Sequence, residues 1–152
     1  MMNIQESNRI EEDLSLKLFI VISRAFQSIK KRVEEDIKCY ELNLTEFAVL
    51  ELLYSKGDQP IQKIGDKVLI ASSSITYVVD KLEKKKLIER KGCLKDRRIT
   101  HATITSEGTE FMNEIFPKHK RAIQEICNSL AAQEKSNMID QLKKLGYHAY
   151  AM

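Results

Sequence analysis

Asp96, Arg97 and Arg98 stand together in a strongly basic stretch of this 152-residue chain. From Lys81 to Arg98 there are nine basic side chains (Lys81, Lys84, Lys85, Lys86, Arg90, Lys91, Lys95, Arg97 and Arg98) against three acidic ones (Glu83, Glu89 and Asp96), a local excess of +6. The whole chain carries only +3, so everything else is net acidic. A confined positive patch focuses its field on polyanions, and phosphate backbones are the commonest of these. Just upstream, Ser72, Ser73, Ser74, Thr76 and Tyr77 supply short hydroxyls and one phenol. Such groups reach base edges and phosphates, and a helix start among them adds free N–H groups and the positive end of a dipole. One of the three serines is expected to serve only as a helix N-cap.

Other chemistries have little to work with. Catalysis needs a nucleophile with its base, a paired-acid cleft, a metal site or a phosphate cradle, and none is visible, so an enzyme is not expected. His101, His119 and His148 are scattered without metal-site spacing, so neither metal nor cofactor is expected. Three cysteines without a CxxC argue against a disulfide framework and for a reducing, cytoplasmic setting. Cys93 lies between Lys91 and Lys95, an electropositive place that makes it the candidate redox thiol, with a spectator thiol the stronger reading. Cys127, on a helical stripe, reads as core. No apolar run approaches the roughly 18 residues of a membrane span, and the polar Met1–Asp13 stretch has no signal core.

The elements that must position these residues are mostly helical. Five glycines and two prolines leave few breakers. Leu14, Leu18, Ile22, Ala25, Ile29, Val33 and Ile37 form one stripe of a long helix from about Asp13 to Cys39. Thr45 is the expected N-cap of the next helix, whose buried face is Phe47, Val49, Leu50, Leu52 and Leu53 and which ends at Gly57. Pro60 opens a short helix over about Ile61–Val68. Ser72–Ser74 open another, with Ile75, Val78, Val79 and Leu82 as core, and the two make a helix-turn-helix. Leu87–Lys91 and Ile99–Thr105 read as a two-stranded hairpin around a basic loop. A long helix starts at Ser106, and a last one spans about Gln133–Leu145. The expected fold is mainly α with a small β-hairpin wing. A helix plus a basic hairpin suits duplex DNA, with the helix in the major groove and the loop at the minor groove or backbone.

The stretch from Leu44 to Phe111 resembles the MarR family of winged-helix transcription regulators. The likeness is carried by Leu44-Thr45 with Phe47 and Leu50, by Ile61 to Ile64, and by Ser74-Ile75-Thr76 followed by Val79-Asp80-Lys81-Leu82-Glu83. It continues through Leu87-Ile88-Glu89-Arg90, the wing Asp96-Arg97-Arg98 and the closing Ile104-Thr105-x-Glu-Gly. The resemblance implies one chain, 1–152, with a DNA-binding lobe over about 44–105 and dimerisation helices over about 13–39 and 106–148. It implies a homodimer on a pseudo-palindromic operator, a repressor released by a small phenolic or aromatic ligand. A thiol-based redox-sensing repressor of the same fold is the alternative. A winged helix used only for protein assembly is a weaker one, because the wing is basic. Carried onto this chain, base reading falls on Ser72, Ser73, Ser74, Thr76 and Tyr77, and minor-groove contact on Arg97. Asp96 pairs with an arginine and shapes the wing, Arg98 is either that partner or a phosphate ligand, and Lys95 is a further DNA-binding residue. Phe19, Phe26, Phe47, Tyr54 and Phe116 are the aromatics available to an effector cleft between the dimer helices and the winged lobe, with plain core packing the stronger reading of residues at helical spacing.

Overall fold

The computed structural model describes residues 3–68 and 75–152. Helix α1 (Ile4–Lys38) runs into a short linker and α2 (Leu44–Lys56). A two-residue strand β1 (Gln59–Pro60) precedes α3 (Ile61–Val68), and α4 (Ile75–Lys84) follows. Strands β2 (Ile88–Gly92) and β3 (Thr100–Ile104) form the wing, and α5 (Ser106–Ile126) and α6 (Ala132–Ala151) complete the chain.

The core lies where α2, α3, α4 and the sheet meet. Val49, Leu50, Ile64, Val79 and Leu82 are fully buried there, joined by Ile37 from the end of α1 and Met112 from α5. Each such side chain contributes about 1.5–3 kcal/mol of burial. In α4 the 3.6-residue period puts Ile75, Val78, Val79 and Leu82 inward and leaves Thr76 and Tyr77 outward.

Four expectations change. The cap of α2 is Asn43, not Thr45: the Asn43 Oδ1 accepts the Glu46 N–H at 2.8 Å, which puts Thr45 inside the first turn. The sheet has three strands in the order β1-β3-β2, not two, because Gln59 and Pro60 pair antiparallel with Ala102 and His101. Proline fits there because β1 is an edge, where its missing N–H is not needed by a second neighbour. Helix α1 also begins nine residues before the expected Asp13, and α6 extends past Leu145 to Ala151.

The wing register is fixed by the pairs Ile88↔Ile104 to Gly92↔Thr100, which leave Cys93–Ile99 as its loop. Thr105 caps α5, its hydroxyl accepting the Gly108 N–H at 3.0 Å. At the head of α6, the Glu134 carboxylate accepts the Ala131 N–H. No described helix is long and apolar enough to cross a membrane.

The stripe of α1 is not covered by its own chain. Ile37 is buried and Val33 partly so, whereas Leu14, Leu18, Phe19, Phe26 and Ile29 are exposed. Helix α6 has no buried residue, and Met138, Ile139, Leu142 and Leu145 face solvent. An open apolar groove of about 430 Å³ runs between α1, the end of α5 and α6, lined among others by Ile29, Ile126, Leu130 and Leu142.

Candidate nucleic-acid interface

Helix α4 and the wing carry the sequence-assigned groups. Thr76 and Tyr77 are exposed on its first turn, with Tyr77 59% accessible. The Lys81 ammonium sits 5.0 Å from the Tyr77 ring centroid, one helical turn on, so the phenol edge and a cation are presented together. Ser72, Ser73 and Ser74 lie outside the described residues.

In the wing, Lys95, Asp96, Arg97 and Arg98 are all exposed. Asp96 organises the loop: its Oδ1 accepts the Arg98 N–H at 3.0 Å, and its carbonyl accepts the Ile99 N–H at 3.1 Å. This is an Asx-type turn, which an aspartate side chain forms readily. The Arg98 guanidinium stands 4.0 Å from the same carboxylate and is 95% accessible, a loose surface pair of little energetic weight. Arg97 makes no salt bridge or side-chain hydrogen bond among the described residues. Leu94, at the same tip, is fully exposed, an apolar neighbour of these cations that charge counting passes over. The Cys93 N–H donates to the Ile99 carbonyl at 2.9 Å to close the hairpin, and Cys93 itself is half-buried. Cys127, read as core, is only partly buried at the end of α5, because the groove against α6 leaves that face open.

Two of the nine cations are held by acids of other elements. Arg90 on β2 is bound by Asp80 and Glu83 of α4, with its Nη1 3.0 Å from Glu83 Oε1 and its backbone N–H also on Glu83. The hydrogen bond to Asp80 holds this guanidinium above its ordinary pKa, burial opposes that shift, and the charges of Asp80 and Glu83 add to it. Arg90 therefore locks the wing strand to α4. Lys85 is likewise engaged, 2.9 Å from the Glu46 carboxylate. Charge counting missed both, because it cannot say which cations find acids within the chain.

A second cluster joins the lobe to the long helices. The His119 ring lies 4.4 Å from Phe47 and 6.4 Å from Phe116, and its Nδ1 is 3.3 Å from Asp36 of α1. Tyr54 packs 5.7 Å from Phe116 and donates to Asn113 Oδ1. Of the five aromatics assigned to an effector cleft, Phe47, Tyr54 and Phe116 belong to this α2–α5 layer, while Phe19 and Phe26 are exposed along α1.

Two short helices, α3 and α4, packed with a three-stranded sheet that carries a basic wing define the class: a winged-helix transcription regulator. The model of the MarR family matches residues 42–100. The HTH-type transcriptional regulator MhqR of Bacillus subtilis (strain 168) is 54% identical over 135 residues, covering 89% of this chain and 93% of that protein. A second regulator of that organism, YkoM, is 39% identical over 93% of this chain and 92% of its own length. Among solved structures, Sco3205 of Streptomyces coelicolor, a MarR family regulator in complex with DNA, superposes with a TM-score of 0.77 at 16% identity, covering 98% of this chain and 94% of its own. The organohalide-sensing regulator RdhR-CbdbA1625, in its 2,4-dichlorophenol-bound form, gives 0.76 at 20% identity, covering 89% and 80%. The chain belongs to the MarR family of transcriptional regulators.

Proposed function

We propose that this regulator is a homodimeric, sequence-specific DNA-binding repressor. Residues of about 44–105 form its DNA-binding lobe, and α1, α5 and α6 its dimerisation region. The observation that carries the DNA reading is the pairing of an outward Thr76 and Tyr77 on α4 with a wing that exposes Lys95, Arg97 and Arg98. In this reading Ser72, Ser73, Ser74, Thr76 and Tyr77 meet base edges or phosphates in the major groove. Arg97 enters the minor groove, Lys95 and Arg98 hold the backbone, and Asp96 keeps the loop in shape.

Dimerisation is supported by the uncovered apolar faces of α1 and α6 and the groove between them. Two-fold pairing of winged lobes matches a pseudo-palindromic site. Release by a small phenolic or aromatic ligand is supported by the His119, Phe47 and Phe116 cluster with Asp36, which offers ring faces and polar partners where the long helices join the lobe.

The test is a fluorescence-anisotropy titration against the DNA upstream of its own gene, at several salt concentrations. Binding that weakens with salt and is released by a phenol supports the reading, and negligible, salt-independent affinity sinks it. The same titration with Cys39, Cys93 and Cys127 replaced by serine separates ligand release from thiol sensing. A response that survives the replacements belongs to the ligand.

A further inference from the structure

We propose that Lys85 is a positioning residue for DNA reading, clamping the C-terminal end of α4 to the α1–α2 linker opposite a second clamp made by Thr105. This rests on the reading of α4 as the base-contacting helix. The charge of Lys85 is already spent within the chain. Its Nζ lies 2.9 Å from Glu46 Oε2 and donates to the Glu41 carbonyl at 2.6 Å. Glu46 is 3% exposed. A carboxylate so far from water needs a partner, and Lys85 supplies it from 39 residues further along the chain.

The acceptor Glu41 has a φ of 59°, a left-handed conformation uncommon for a residue with a side chain. It belongs to the linker between the end of α1 and the start of α2, so the Lys85 bond fixes the end of α4 against the exit of α1. The next two residues are held from the other side. Lys86, with φ 62°, turns the chain: its N–H donates to the Glu83 carbonyl and the Leu87 N–H to the Leu82 carbonyl, a Schellman closure. The Lys86 carbonyl accepts the Thr105 hydroxyl at 2.7 Å, and the Leu87 carbonyl accepts the Thr105 N–H at 3.0 Å. Three consecutive residues thus bind the exit of α1 on one side and the head of α5 on the other.

The consequence is leverage. Thr76 lies nine residues from Lys85, about 13 Å along a helix, so a tilt of about 5° at the clamp moves the reading turn by roughly 1 Å. Base-edge hydrogen bonds do not survive such a shift, whereas contacts between flexible cations and phosphates do. Loss of the clamp therefore removes discrimination between sequences and leaves general DNA affinity in place.

The experiment starts with a duplex selected by the wild-type protein from a random-sequence pool, and a scrambled duplex of the same composition. Affinity for both is measured across a salt series for wild type, Lys85→Met, Lys85→Arg and Glu46→Leu. The last removes the carboxylate that draws Lys85 to this site and leaves it only the Glu41 carbonyl, so it loosens the clamp without stranding a buried charge and carries the test if Lys85→Met, which does strand one, fails to fold. Lys85→Met and Glu46→Leu are expected to lose about tenfold on the selected duplex, the worth of one base contact. Affinity for the scrambled duplex and the salt slope are expected to stay unchanged, and Lys85→Arg to restore selectivity. Equal losses on both duplexes, with a salt slope smaller by about one, would make Lys85 a phosphate ligand and overturn the proposal. Unchanged selectivity in folded Glu46→Leu overturns it as well. A wild-type protein that enriches no sequence instead overturns the DNA reading, and does so before any variant is made.

Discussion

Gly108 of α5 presses against the backbone carbonyl of Leu87 so closely that a Cβ would collide with it, and with Ile104 Cγ1 at 2.8 Å. Neither obstacle is the free end of a long side chain. One is backbone at the turn after α4 and the other belongs to the wing strand. The glycine is what lets the head of α5 reach this turn at all.

Gly108→Ala is therefore expected to destabilise the fold by about 1–3 kcal/mol through overpacking, despite alanine's better helix propensity. Urea unfolding followed by circular dichroism measures it. A midpoint equal to or above wild type would show that α5 can shift without loss.

Arg97→Ala is expected to weaken operator binding by about 1–3 kcal/mol and leave the unfolding midpoint unchanged, since Arg97 is exposed and makes no salt bridge among the described residues. Arg90→Ala should do the reverse in part, lowering stability as well as affinity, because it strips Asp80 and Glu83 of their partner. Parallel anisotropy and melting curves distinguish the two arginines. Unchanged affinity in Arg97→Ala would remove that residue from the interface.

Charges on the open face of α6 test the dimer. Ile139→Glu with Leu142→Glu removes apolar surface that no part of the chain's own core uses. Light scattering is expected to give twice the 17.6 kDa chain mass for wild type and a single chain for the variant. The winged lobe should keep its circular-dichroism signature of a folded core. A variant that remains a dimer would move the interface off α6.

Tyr40 gives a pH-dependent signal. Burial first, then the charge of Asp36, raises its pKa above the ordinary 10.0. A folded pKa above the unfolded one means that folding favours the protonated phenol. Its contribution to stability is complete below pH 10 and is lost as pH rises through the folded value. Absorbance at 295 nm should show an ionisation above the free-phenol range that disappears in Tyr40→Phe. An identical titration in the variant would refute it.

Much of this was legible from periodicity. Spacing alone places Ile75, Val78, Val79 and Leu82 in the core, whereas the roles of Thr76 and Tyr77 come from the family resemblance and only the structure shows both exposed. Charge clustering found the wing. The misses share a physical cause, which is that they depend on partners distant in sequence. Gln59–Pro60 is too short to show a strand period and becomes one only because β3 lies beside it. Thr45 and Asn43 are both good caps, and the entry of the chain into α2 decides between them. The first turns of α1 carry mainly polar and charged residues, so no apolar stripe announces them before Leu14. Lys85 and Arg90 looked like their neighbours until Glu46, Asp80 and Glu83 were found facing them. The cluster of His119 with Phe47, Phe116 and Asp36 was only partly visible, because Asp36 lies 83 residues away.

The Thr105 hydroxyl has one further effect. It accepts the N–H that starts α5 and donates to the carbonyl of Lys86 just beyond α4. Helix ends ordinarily fray independently, each opening on its own with little free energy. Here the turn that closes one helix and the first turn of another share a single oxygen, so neither opens without disturbing the other. The Gly108 amide thus becomes a reporter for the end of α4. Its hydrogen-exchange rate should rise whenever the end of α4 is released.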